Sequence, residues 1–324
     1  MRTTASEFTQ KSPVHLYSLG EKSRFLFDGF RQKAVPRKAL IAGPFAGEFG
    51  YELMQWQGYV RARRRHYRQT HVITYPGREV LYEECRVHPH DISLQKAGYS
   101  YGRLDPDSSL ALAHAKAKEL SLTDYDIFLP AHLCTQYHKR LLWTQEFRLL
   151  QEPAVDGRVR DVAFHVRAIE KEGPDSAKNY PLSMADELAA LCLNEGLSVI
   201  CVGHPEYSYC AKGCEDMRYV DLRQSVAAIN SAHLVVGENS GPMHLANLCG
   251  RPTVVWANDQ WRVDYSLRWN PFDVPIYVAA NDTCRPDPVR VCATILNALN
   301  DLSKRTRNNT QPCYTLPGRQ IAYF

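Results

Sequence analysis

The chain has 324 residues, 44% hydrophobic and 23% charged, a balance that excludes a disordered or fibrous protein and suits two domains of about 150 residues each. No apolar run reaches the roughly 18 residues of a membrane span. The opening MRTTASEFTQKSPVHLYSLGEKSR lacks the apolar core of a signal peptide, so the sequence reads as cytoplasmic, and its net charge of +4 permits an anionic substrate without requiring one.

Residues 1–36 show no sustained period and end at Val35-Pro36, which predicts an N-terminal extension with at most a short helix over EKSRFLFDGFRQ. KALIAGPF is then a short apolar strand that runs into the loop AGEFG. A helix is expected from near Tyr51, with Leu53, Trp56, Val60 and Tyr67 on one face. THVITYPG reads as a strand and turn, SSLALAHAKAKELSL as a helix and YDIFLPA as a buried strand. The pattern breaks at LLQEPAVDGRVR, where Pro153 and Gly157 mark a boundary between a first domain over 37–155 and a second over 156–300.

In the second domain DVAFHVRA, LSVICVG, HLVVG and PTVVWA read as strands, and SMADELAALCLNEG, VAAINSA and GPMHLANLCG as the helices between them. DPVRVCATILNALNDLSKRTR makes a closing helix, and 301–324 are assigned to a tail. This alternation predicts an α/β protein with two consecutive Rossmann-like parallel sheets facing one another across a cleft. Of the ten cysteines only Cys210 and Cys214 are close neighbours, and no second pair completes a zinc site, so the thiols read as small hydrophobes and no metal is expected.

The segment VVGENSGPMHLANLCGRPTVVWA is a strand, a polar turn, a helix and a strand. A turn of this kind leaves backbone N–H groups and the positive end of a helix dipole aimed at one point, which favours a phosphate. Ser240 is placed to cap the helix, Gly241 permits close approach, Pro242 suits the first helical position and His244 falls in the first turn.

The stretch GENSGPMHLANLCGRPTVVWA resembles the signature of the ADP-heptose:lipopolysaccharide heptosyltransferase family, which follows the pattern G-N-D-S-G-P-M-H-L-A-A-A-L-G-x-P. The resemblance implies a GT-B glycosyltransferase fold in which this turn, Glu238 to His244 with Met243, binds the nucleotide-sugar donor. Where the family carries aspartate this chain has Asn239, and its acid stands one place earlier as Glu238. SAKNYPLSMADELAALC resembles the family's K-x-W-P segment, which implies that Lys178 meets the donor diphosphate. The H-V-R ending in Arg167 resembles the donor segment of GDP-fucose-dependent fucosyltransferases, where the arginine holds phosphates. Gly203, with His204, resembles the position beside the nucleotide base.

In the first domain, Gly47-Glu48 fits the slot in which the family's glycine-acid pair supplies the general base, with Glu52, one helical turn later, as its competitor. Arg61, Arg64, Arg65 and Arg68 are spaced to share one helix face, either solvated or turned toward an anionic acceptor. Tyr75, Tyr99 and Tyr101 are aromatics suited to stacking, though the sequence does not put them beside those arginines. The expected reaction is transfer of a sugar from a nucleotide diphosphate sugar to a hydroxyl of a glycan, or of an anionic polymer such as modified DNA. It needs no cofactor beyond that co-substrate and no metal, and it inverts the anomeric centre. A sugar-nucleotide epimerase of the same fold and a nucleic-acid-binding protein on this scaffold are the alternatives.

Overall fold

A computed structural model describes residues 38–92, 105–133, 145–168, 178–258, 266–267 and 269–307. The N-terminal extension, Tyr99, Tyr101, Cys134, Cys313 and residues 308–324 lie outside the described residues. The first sheet contains β1 (Ala39–Ala42), β2 (Gln69–Thr74), β3 (Arg86–Pro89) and β4 (Tyr125–Phe128), all parallel, in the order β3-β2-β1-β4. Helix α1 begins at Phe49–Tyr51, passes through a π-helical turn at Glu52–Trp56 and continues over Gln57–Arg64; α2 covers Pro106–Glu119.

The second sheet is built from β5 (Arg160–Arg167), β6 (Val199–Cys201), β8 (Glu215–Asp216), β9 (Ala232–Glu238), β10 (Thr253–Trp256) and β11 (Ile276–Ala280), with the two-residue β7 (Ser208–Tyr209) antiparallel to the end of β5. Its helices are α3 (Leu182–Asn194), α4 (Leu222–Asn230), α5 (Gly241–Leu248) and α6 (Pro288–Arg307). The order β11-β10-β9-β5-β6-β8 reverses direction between β5 and β9. In open parallel sheets that reversal opens a crevice at the carboxyl ends of the two strands, where ligands bind. The β5–β9 register pairs His165 with Gly237, so this crevice is rimmed by residues 165–168 on one side and 238–241 on the other.

The two sheets share apolar packing. Trp56, Phe45 and Leu53 from the first half pack in one buried cluster with Ala163, Val235, Met243 and Leu245 from the second. The segment between the sheets is pinned to both: Glu146 N–H donates to Gly58 O at 3.0 Å, and Leu150 N–H to Leu248 O at 2.9 Å. The π-helical turn has a local cause in the same segment. The buried Gln145 side chain donates to the carbonyls of Met54 (3.0 Å) and Gln55 (3.1 Å), compensating the widened helical ladder.

The sequence reading misses β3, β7, β8 and β11. Helix α1 stops at Arg64, so Tyr67 is not on its face, and α6 runs to Arg307, into the segment assigned to the tail. Strands β5 and β9 approach so closely that a Cβ on Gly237 would lie 2.7 Å from the His165 carbonyl oxygen. The G237A variant should therefore lose about 1–3 kcal/mol, the ordinary cost of overpacking, seen as a lower denaturant midpoint at unchanged slope.

Candidate active site at the meeting of the two helix N-termini

Two strand-turn-helix units bring their helix starts together. Gly241, the first residue of α5, has no side chain where Phe49, the first residue of α1, packs: a Cβ there would stand 2.8 Å from Phe49 Cδ1. His244 lies beside Gly50 at ordinary contact distance, its Cδ2 3.5 Å from where a Gly50 Cβ would stand. Trp269 closes the contact, meeting His244 edge-on at 4.8 Å between ring centroids and Tyr51 at 5.3 Å. Glu48, one residue before Phe49, is exposed and stands at the N-cap of α1 without a side-chain capping bond.

The turn after β9 holds buried polar groups with no hydrogen-bond partner among the described residues: both carboxyl oxygens of Glu238, Ser240 Oγ and His244 Nδ1. A desolvated, unpaired polar group costs roughly 1–3 kcal/mol, so a cluster of them marks a place where a ligand supplies the partners. Ser240 does sit at the N-cap, but its hydroxyl does not cap the helix as the sequence suggests. Pro242 occupies the second helical position rather than the first and has no N–H, and Met243 N–H is spent on Ser240 O at 3.1 Å. No N–H within a capping hydroxyl's reach is left, and Ser240 Oγ stays available.

His165 and Glu238 face each other across the β5–β9 pair, Nε2 to Oε1 at 3.8 Å, both almost fully buried. His165 Nδ1 lies 3.3 Å from Val202 O, which fixes the proton on Nδ1 and leaves Nε2 as an acceptor. Gly203 is needed beside this ring, because its φ is +124° and a Cβ would lie 2.8 Å from His165 Nδ1. Burial pushes the Glu238 carboxyl up to about 8, against the opposing pull of the Arg167 guanidinium. It pushes both His165 and His244 down to about 4.

Arg167 ends β5 half-buried. Lys178 is also half-buried, two residues before Tyr180, whose ring meets Trp256, the β10 residue in register with Glu238, tilted at 49° with centroids 5.1 Å apart. Asn239 is drawn the other way, its Nδ2 donating to Ser266 Oγ at 2.8 Å.

Two candidates sit differently in the structure than their spacing suggests. Glu52 is 1% exposed, and its Oε1 accepts from Thr74 Oγ1 (2.5 Å) and Tyr82 Oη (3.1 Å) while Oε2 faces Arg78 Nε at 3.3 Å. A carboxylate so buried and engaged is less suited than the exposed Glu48 to take a proton from an acceptor. The four arginines do not form one exposed face either. Arg61 is buried, donating to Leu81 O at 2.8 Å, and both Arg61 and Arg64 pair with Glu84. Arg65 terminates the helix and Arg68 lies beyond it, so only these two are exposed. Sequence reasoning overlooked Phe49, Arg78 and Trp269. A signal existed for Arg78, since YPGR follows a parallel strand at the edge where ligands gather.

Stability should report the buried titratable groups. Between about pH 4.5 and 8 the folded chain keeps the Glu238 proton that the unfolded chain releases, so this contribution falls as pH rises through that window. From 6.5 down to 4 the unfolded chain takes up protons that His165 and His244 refuse when folded, so their contribution falls as pH falls. Thermal melts should peak near pH 6.5, and E238Q should abolish the decline on the alkaline side, worth about 1–2 kcal/mol by pH 8. An unchanged alkaline slope in E238Q would place that proton elsewhere.

Residues 139–256 match the model of glycosyltransferase family 9 (heptosyltransferase), a span that holds β5 through β10 and the turn. No curated protein matches the chain in sequence. Among solved structures, the ADP-heptose lipopolysaccharide heptosyltransferase II of E. coli superposes with a TM-score of 0.53 at 16% identity, covering 82% of this chain and 99% of that one. The family 9 glycosyltransferase of Veillonella parvula gives 0.51 at 12% identity, over 84% and 100%. An E. coli heptosyltransferase solved with ADP-2-deoxy-2-fluoro heptose gives 0.50 at 13%, over 81% and 99%. At such identities the likeness establishes the parallel-sheet GT-B architecture, and the family match adds the class of chemistry. The chain is a glycosyltransferase of the GT-B fold whose residues 139–256 match glycosyltransferase family 9, the heptosyltransferases.

Proposed function

We propose that this protein moves a sugar from a nucleotide diphosphate sugar to a hydroxyl acceptor, in one displacement that inverts the anomeric carbon and needs no metal ion. The observation that carries this reading is the set of unpartnered, buried polar atoms of Glu238, Ser240 and His244 gathered at one turn, opposite the loop that bears Glu48. The protonated Glu238 carboxyl and Asn239 suit sugar hydroxyls, while Ser240, Gly241 and the N-terminus of α5, with Pro242, Met243 and His244 in its first turn, suit the diphosphate. Gly203 lies toward the base. Arg167 and Lys178 add the positive charge that offsets the leaving diphosphate, the part a divalent ion plays in other transferases.

Glu48 takes the acceptor proton as the acceptor oxygen bonds to the anomeric carbon and the bond to the diphosphate breaks. An exposed carboxylate before the helix that abuts α5 is suited to that task. The donor most worth testing is an ADP-sugar, because an ADP-heptose analogue is bound in one of the similar structures. The acceptor is a hydroxyl of a glycan, or of an anionic polymer such as modified DNA, which Arg65 and Arg68 would attract. The reaction is placed in the cytoplasm, where the eight described free thiols stay reduced. No described helix is long and apolar enough to cross a membrane.

Thermal-shift screening against ADP-, UDP-, GDP- and CMP-sugars should reveal one nucleotide class that raises the melting temperature by mass action. E48Q should lower kcat by about 10²–10⁴-fold with donor affinity nearly unchanged. K178M should weaken nucleotide diphosphate binding by about 1.5–3 kcal/mol, the range for a lost charge-assisted contact. Turnover should survive EDTA. A stabilising sugar nucleotide that is only isomerised, with no transfer to any hydroxyl, would replace this reading with an epimerase.

A further inference from the structure

Arg78 lies in the turn after β2, outside every motif, and its surroundings hold it in one posture. Its backbone is fixed by Gly77 at φ +75° and by the bond from Leu81 N–H to Arg78 O at 3.0 Å. On one side its Nε faces Glu52 Oε2 at 3.3 Å. Glu52 is itself immobilised by Thr74 and Tyr82, and it sits in the π-helical turn of α1. On the other side the Arg78 guanidinium stands 4.3 Å over the centroid of the Phe49 ring. A guanidinium is flat, permanently charged and weakly hydrated, so it covers an aromatic face while one edge remains paired.

Phe49 is the residue that seats α1 against Gly241. Tyr51 N–H and Glu52 N–H both donate to Glu48 O at 3.1 Å, which couples the Glu48 backbone to the first turn that Phe49 anchors. The connection therefore runs from buried Glu52 to Arg78, from Arg78 to Phe49, and from Phe49 both to the donor helix and to Glu48.

We propose that Arg78 is a positioning residue for sugar transfer: held by Glu52, its guanidinium stacks on Phe49 and fixes the loop carrying Glu48 against the N-terminus of α5. The inference rests on Glu48 as the base. Arg78 touches neither donor nor acceptor in this role, and Glu52 neutralises its charge, so its loss acts on the rate rather than on donor binding. Misplacing a base by about 1 Å is enough to cost up to a hundredfold in rate.

The test compares R78M, R78K, F49L, E48Q and the double variant E48Q/R78M, using whichever of ADP-heptose, UDP-glucose or GDP-fucose the wild type cleaves fastest with water as acceptor. R78M should lower kcat by about 10–100-fold while ADP, UDP or GDP binds within about twofold of wild type. R78K, which keeps a cation over the ring, should recover part of the rate. F49L, which keeps the Glu52–Arg78 pair, should lose about as much as R78M. Because Arg78 works through Glu48, the double variant should be no slower than E48Q alone. Hydrogen exchange at the amides of residues 49–52 should be at least tenfold faster in R78M, a readout that needs no turnover. A slow E48Q beside a wild-type R78M, or a double variant slower by the full R78M factor, overturns this inference and leaves the base assignment standing. E48Q at wild-type rate removes both, and unchanged exchange in R78M removes the clamp.

Discussion

Between β5 and β9 the backbones approach so closely that only hydrogen fits on Gly237, and this pairing fixes everything that follows it in space. It sets the reversal of strand order, which opens the crevice. It places His165 opposite Gly237 and brings Glu238 within 3.8 Å of the imidazole. It also aims α5 outward from the sheet with its first turn toward α1. The same device appears at the other side of the crevice, where Gly241 leaves room for Phe49. Gly237 and Gly241 both serve close approach rather than turn geometry, and the candidate site lies beside them.

A stable fold has no use for the polar atoms left unpaired at this turn. Glu238 could be made apolar at that depth with a gain in stability, since a buried acid without partners pays desolvation for nothing. Its place beside a neutral histidine suits a group that hydrogen-bonds ligand hydroxyls. Ser240 follows the same logic by a different route: the proline after Gly241 removes the N–H its hydroxyl would have bonded, so the residue type that usually ends a helix is freed for another partner.

Much of this architecture was legible in the sequence because parallel strands announce themselves as apolar runs separated by helical periods. Strands β1, β5, β9 and β10 and helices α2, α3 and α5 follow that rule. Strand β3, with the sequence RVHP, and β11, IYVAA beside a polar loop, are edge strands whose pattern is set by what covers one face, which no local window contains. The arginines failed for a related reason. Their spacing correctly describes a helical surface, but Arg61 is claimed by Leu81 O and Glu84, some twenty residues away, and the helix ends before Arg68.

Glu48, Glu52 and Glu238 show how far environment outruns identity. The first two are separated by one helical turn, and the sequence favours Glu48 as the base with Glu52 as its competitor. Folding gives Glu52 two hydroxyl donors and a guanidinium, while Glu48 stays in solvent. Burial raises the Glu238 carboxyl to about 8, so its proton stays on at neutral pH. A carboxylate that is to accept a proton must be reachable, and of the three only Glu48 is exposed. The other two serve better as a fixed anchor and as a neutral donor of a hydrogen bond, roles that a base could not fill. The different surroundings of these three identical side chains are therefore decided by the packing of α1 against β2 and of β9 against β5.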